Sequence, residues 1–338
     1  MKRYSGEALA KGLRMAVIAN DALGNYALAT LPLQMLRSQH EPATLGLYCG
    51  QRIAELARAE SELFDQFIPL HGQDLAVSLA EARRYDFVLN LESTPLSKVM
   101  AGLLAGDEGW VCGPCVGAQG RGELAYSDDL RGKLWQEKAW ARESLPQDYP
   151  FLKSGFIGEI FCRLAGLDGP IPPYRIPRQA PPGDVPDVLI AMSASLEDKL
   201  WPGSHWAEAA SWLQSRGRSV GLIGAKPKAQ GQFWHGLEAE NGLVQQGLVH
   251  DLRGDWTLPE VVGALGSASC VLTLDNGIMH FAASTGTPTV GLFRHGIHWL
   301  WAPPLENLQV IPGEPGAPVG SIPVSVVLSA LERALAQG

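Results

Sequence analysis

Ser269-Cys-Val-Leu-Thr-Leu-Asp-Asn-Gly-Ile-Met-His-Phe-Ala-Ala-Ser-Thr-Gly-Thr-Pro-Thr-Val-Gly-Leu-Phe293 is the stretch on which the fold reading turns. Cys270 to Leu274 is a short apolar run with a β-branched centre, the pattern of a buried strand. Asp275-Asn276-Gly277 breaks it. Ile278 to Thr285 reads as a short helix, with Asp275 or Asn276 as N-cap and Gly286 just past its end. Pro288 to Phe293 reads as the next buried strand. In a parallel sheet, a turn of this kind lies at the carboxyl ends of the strands, where ligands bind. The helix start offers unpaired N–H groups and a partial positive charge, which suit a phosphate. Gly277 lets a ligand approach the backbone, since it has no Cβ. Asp275 and His280 add an acceptor and a donor nearby. The residue types alone equally fit a capped helix with a half-buried histidine.

Outward from this stretch, the same alternation recurs. Met15–Ala19, Thr44–Cys49 and Phe87–Leu91 read as strands, and Tyr26–Ser38, Arg52–Ala59 and Pro95–Ala105 as the helices that follow them. Pro32 lies inside the first helix, so a kink is expected. Leu134–Arg142 has helical character, and Phe156–Leu167 is an amphipathic helix. Gly169 to Asp187 is rich in proline and reads as an extended, semi-rigid linker. The alternation then restarts: strand Asp187–Met192, a loop opening at Ser193, helix His205–Gln214, strand Ser219–Ile223 and a terminal helix Val324–Ala336. This is the βα pattern of parallel, doubly wound sheets. It divides the chain into residues 1–168, a linker 169–186, residues 187–320 and a terminal helix 321–338.

Composition narrows the function. The 338 residues, 46% hydrophobic and 18% charged, suit a globular chain with a sizeable core. A net charge of -8 argues against a nucleic-acid partner. No apolar run approaches the roughly 18 residues of a membrane span. The opening residues lack a signal peptide's apolar region, so a cytoplasmic protein is expected. The five cysteines, an odd number, argue against a disulfide framework. Cys112-Gly-Pro-Cys115 copies a redox tetrapeptide, but the Gly-rich sequence after it is a poor helix start, and neither a redox role nor a metal site is expected. Leu23-Gly24-Asn25 lacks the spacing of a dinucleotide fingerprint, and no phosphate-loop motif is present.

Asp275-x-Gly277-x-x-His280-x-Ala282-Ala283, with Gly286-x-Pro288 and Leu292-Phe293 after it, resembles the signature of glycosyltransferase family 9, the bacterial heptosyltransferases of lipopolysaccharide inner core. Asp251 to Glu260 resembles the family's lead-in to that strand. Ser195-x-x-Asp198-Lys199-x-Trp201-Pro202-x-x-His205-Trp206 resembles its donor loop. The resemblance implies a GT-B architecture, two Rossmann-like domains with parallel sheets facing across a cleft. It implies an inverting transfer of heptose or a related sugar from a nucleotide diphosphate, ADP-heptose by family habit, to a hydroxyl of a saccharide or lipid-linked saccharide such as lipopolysaccharide core. On the donor side it places Ser193, Ser195, Lys199, Lys226, Asp275, Asn276, Gly277 and His280, with Lys199 on the diphosphate. On the acceptor side it places Glu92 and Lys98. The nucleotide sugar is a co-substrate. No cofactor or metal is expected, because a lysine and a helix start can offset the leaving charge. Peripheral contact with the inner membrane fits such an acceptor.

Three positions depart from the family. Its first loop carries a Gly-Asp pair whose aspartate is the proposed general base; here the pair is Gly24-Asn25, and an amide does not take up a proton at neutral pH. Asp21, in the same loop, is the substitute candidate. Lys226 stands where an acidic residue often holds ribose hydroxyls, and lysine accepts no hydrogen bond. Arg294 stands where glycine usually follows Leu-Phe. Asn25 motivates an alternative: a non-catalytic GT-B relative that binds a nucleotide sugar and has lost the base.

Overall fold

A computed structural model describes residues 1–60, 62–80, 85–117, 122–227 and 235–337. The chain forms two compact units, Met1–Arg175 and Ile176–Gly338. The division falls inside the proline-rich stretch.

Each unit is built on a six-stranded sheet whose neighbouring strands all run parallel. The first contains β1 (Lys2–Arg3), β2 (Arg14–Ile18), β3 (Thr44–Cys49), β4 (Gln66–Pro69), β5 (Phe87–Asn90) and β6 (Trp110–Cys112). Their order is β1-β6-β5-β2-β3-β4. The second contains β7 (Val188–Ala191), β8 (Val220–Leu222), β9 (His250–Asp251), β10 (Cys270–Leu274), β11 (Thr289–Phe293) and β12 (Leu308–Pro312). Their order is β12-β11-β10-β7-β8-β9, the dinucleotide-fold order of strands. In both units the chain direction across the sheet reverses beside the first long strand: between β2 and β5, and between β7 and β10. Loops leaving the strands on either side of that reversal part from each other, and the crevice between them is where side chains can meet a ligand.

The expected strands fall within a residue or so of those observed, because buried parallel strands are continuous apolar runs with their own turn signals. The helix expected over Tyr26–Ser38 spans Leu23–His40, so Gly24 and Asn25 lie in its first turn, and Pro32 is accommodated inside it. The helix expected over Leu134–Arg142 instead spans Leu130–Gln136. Asp129 starts it early, its carboxylate accepting from the Gly132 amide at 2.7 Å. Within the second unit, the terminal helix Val324–Leu335 buries Val324, Val327, Ala330, Leu331 and Ala334 in that unit's core, beside Leu213, Leu272 and Val290. Each large apolar side chain so buried contributes about 1.5–3 kcal/mol, which fixes the helix on this sheet. No helix among the described residues is long and apolar enough to cross a membrane.

Candidate functional site

The exit of β10 is organised by Asn276. Its side chain caps the helix Gly277–Thr285, Oδ1 accepting from the amides of Ile278 at 2.9 Å and Met279 at 3.3 Å. Of the two cap candidates, Asn276 therefore fills the role and Asp275 is left for other work. The cap also occupies two of the first-turn amides that the sequence offers to a phosphate. The other end of the amide, Nδ2, donates to the Ser193 carbonyl at 3.1 Å. Ala191 and Thr273 are register partners in β7 and β10, so Ser193 leaves the sheet close to Asp275 and Asn276. One amide thus ties the β7 exit loop to the helix start. At the far end Gly286 closes the helix in the left-handed region, at φ 83°.

Asp275 is only 7% exposed. Its carboxylate binds the Lys199 ammonium at 2.7 Å, and Lys199 also reaches the Asp275 carbonyl at 3.4 Å. Lys199 ends a short turn, Glu197–Lys199, in the β7 exit loop. The pair is nearly dry, with the lysine side chain 16% and the aspartate 6% exposed. His280 lies one turn into the helix and is buried. Burial pushes its pKa down to about 4, with Asp275 opposing the shift and Lys199 adding to it. It is therefore neutral at pH 7 and carries one donor and one acceptor.

The other residues expected on the donor side are more open. Ser195 is exposed in the same loop. Lys226 is exposed beyond β8 and its stem lies over Gly254, where a Cβ would stand 2.2 Å from the Lys226 Cγ. Arg294, one residue past β11, binds Asp198 at 2.7 Å. Arg294 marks a departure from the family pattern in the sequence, and its partner Asp198 lies far from it along the chain. Five of the residues expected on the donor side, Ser193, Lys199, Asp275, Asn276 and His280, are thus brought together, while Ser195 and Lys226 stand in the surrounding loops.

In the first unit, Ile18 and Asn90 are register partners in β2 and β5. Two residues beyond them, the Asn20 side-chain amide donates to Glu92. The other Glu92 oxygen accepts from the Ser93 amide at 2.8 Å. Asp21 is engaged by Arg52, through its backbone amide at 2.9 Å and its guanidinium at 2.9 Å. Asn25 is half-buried in the first turn of its helix. Lys98 pairs with Glu123. Asn20 and Arg52 were not singled out from the sequence; only a polar residue two places past a strand end marks the first of them. All five cysteines are free and buried. Burial pushes Cys112 up to about 12 and Cys115 up to about 11, opposite to the low values of redox-active thiols. Among the described residues no three His, Cys, Asp or Glu side chains gather as metal ligands would.

Comparison with known proteins agrees with the resemblance. Residues 174–316 match the sequence profile of glycosyltransferase family 9 (heptosyltransferase), and this span holds every residue expected on the donor side. Lipooligosaccharide heptosyltransferase 2 of Haemophilus influenzae is 31% identical over 128 residues, 34% of this chain and 34% of that protein. The chain thus spans about a third of the length of the curated relatives it matches. Structural likeness extends further. A family 9 glycosyltransferase from Veillonella parvula superposes over 99% of this chain and 100% of its own, with TM-score 0.74 and 14% identity. The Escherichia coli ADP-heptose lps heptosyltransferase II does so over 96% and 99%, with TM-score 0.69 and 20% identity. The fold class is therefore GT-B, with two parallel-sheet α/β units.

Proposed function

We propose that this chain, whose second half carries the glycosyltransferase family 9 pattern, is an inverting glycosyltransferase that moves a heptose or related sugar from a nucleotide diphosphate to a saccharide hydroxyl. ADP-heptose is the donor this reading favours, and lipopolysaccharide core the kind of acceptor. The relatives that match are named as heptosyltransferases. The observation that carries the reading is the Lys199–Asp275 pair at the exit of β10, inside the matched span.

In this reading Lys199 exchanges its carboxylate partner for the donor diphosphate. The acceptor oxygen attacks the anomeric carbon, the bond to the diphosphate breaks, and the leaving group takes away the electron pair. An ammonium in a nearly dry site stabilises that developing charge more than it would in water. Gly277 and Ser195 supply close approach and a hydroxyl to the same phosphates. Asp275 and neutral His280 orient donor hydroxyls. The acceptor proton goes to a group in the first unit, for which Asp21 is the carboxylate nearest Asn25 in sequence; Glu92 and Lys98 hold the acceptor. The charge work is assigned to Lys199 and the helix start, with no metal or further cofactor, and the protein would work in the cytoplasm, at the membrane face where such acceptors are made.

A second reading rests on Asn25 and on the fastening of Asp21 to Arg52: a relative that binds a nucleotide sugar without transferring it. Calorimetric titration with ADP, UDP, GDP and CMP, repeated on Lys199→Ala, tests the donor site. Selective ADP binding that weakens in the variant is expected. Binding of none of the four would refute the donor reading. Transfer activity that appears only in Asn25→Asp would establish the second reading.

A further inference from the structure

The turn Glu197–Lys199 presents two adjacent residues of opposite charge, and each reaches a different strand exit. Lys199 binds Asp275 just past β10 at 2.7 Å. Asp198 binds Arg294 just past β11 at 2.7 Å. These strands are hydrogen-bonded neighbours, with Leu274 opposite Leu292, so the two anchors lie side by side along the sheet's carboxyl edge. One ion pair leaves a loop free to pivot; two neighbouring pairs of opposite polarity define both its position and its direction. Arg294 is seated for this. Its side chain is 27% exposed, while its Nε is buried and forms no hydrogen bond.

The geometry points to Arg294 as a positioning residue: through Asp198 it holds the Lys199 turn in place while Lys199 leaves Asp275 for an anionic ligand. This rests on the reading of Lys199 as the diphosphate contact. The asymmetry between the two pairs carries the argument. An incoming diphosphate competes for Lys199 and thereby breaks the first anchor. The second then alone keeps the turn from following the ammonium. Arg294 therefore matters more for ligand affinity than for the stability of the free protein.

The test uses the full chain and two readouts. The first is the affinity for ADP and for inorganic pyrophosphate in Arg294→Ala, Asp198→Ala and the double variant. Each single change is expected to weaken both ligands about three- to five-fold, and the double change no more than either single one, as for two groups acting as one unit. Arg294→Lys should recover part of the loss. The second readout is amide hydrogen exchange over residues 194–200 without ligand, expected to speed up in both single variants. If Asp198→Ala leaves affinity unchanged or tighter while Arg294→Ala weakens it, Arg294 touches the anion itself and the positioning role is wrong. Unchanged affinity and unchanged exchange in both single variants also overturn it. Failure of Lys199→Ala to weaken ADP would instead sink the functional reading, and the exchange measurement would still decide whether the clamp exists.

Discussion

Replacing Lys199 by alanine removes the cation that faces the buried carboxylate of Asp275. The Asp275 side chain is 6% exposed, so water can solvate little of the charge left behind. Breaking a buried pair from one side costs about 3–5 kcal/mol. The lysine side chain at 16% exposure leaves a path for some water, which puts the expected loss near the lower end, about 3 kcal/mol. Removing the other partner is not equivalent. In Asp275→Asn the freed ammonium sits on a flexible stem that can swing toward solvent, and the loss should be about 1 kcal/mol. The double variant Lys199→Ala/Asp275→Asn leaves no unpaired charge and should regain most of what Lys199→Ala alone loses. Urea denaturation of the four proteins at pH 7, with the slope checked for constancy, measures all three differences. A Lys199→Ala variant as stable as the wild type, or a double variant no better than that single change, would refute the picture of a dry, mutually dependent pair. The same numbers guard the binding experiment, because a loss of ADP affinity in Lys199→Ala means what it should only while the variant remains folded.

Two further outcomes are expected. His280 has its pKa lowered from 6.5 to about 4 by burial, so the unfolded chain takes up its proton first as pH falls. Stability that is fully present above pH 6.5 should therefore be lost between 6.5 and 4, by about 3 kcal/mol from this residue. His280→Gln should flatten the pH dependence of the denaturation midpoint over that window, and an unchanged slope would show that the histidine is not the group responsible. Gly50 has an ordinary backbone conformation at φ -76°, yet a Cβ there would stand 1.9 Å from the Asp21 carboxylate. Gly50→Ala should force Asp21 off Arg52 and cost about 1–2 kcal/mol in the same denaturation assay; a neutral change would show that the carboxylate moves aside freely.

Much of the fold was legible because its strands are buried on both faces. Cys270–Leu274, Thr44–Cys49 and Phe87–Asn90 read as mainly apolar runs between turn residues. The missed strands, Lys2–Arg3, Gln66–Pro69, Trp110–Cys112, His250–Asp251 and Leu308–Pro312, are mostly short and lie toward the sheet margins, where no apolar pattern is needed. Most of the residues expected on the donor side fall in two segments of the sequence, 193–206 and 251–293, with Lys226 between them. What could not be read was who pairs with whom. Lys199 and Asp275 are 76 positions apart, and Arg294 and Asp198 are 96 apart. Nothing local announces such contacts; the parallel crossovers create them. The same holds for Asn20 and Glu92, brought together only because β2 and β5 share a register.

The margins of the two sheets bear on how the protein behaves when crowded. The outermost strands are β1 and β4 in one sheet, β12 and β9 in the other. Two of them, Lys2–Arg3 and His250–Asp251, are two residues long and built of charged or polar side chains. The other two end in proline, at Pro69 and Pro312, which offers no N–H to a newcomer. A foreign strand seeking to extend either sheet finds a ladder too brief, too charged or missing a rung. Chains with long parallel pairings expose their strands during slow folding, and blunt margins of this kind keep partly folded copies from stitching themselves together.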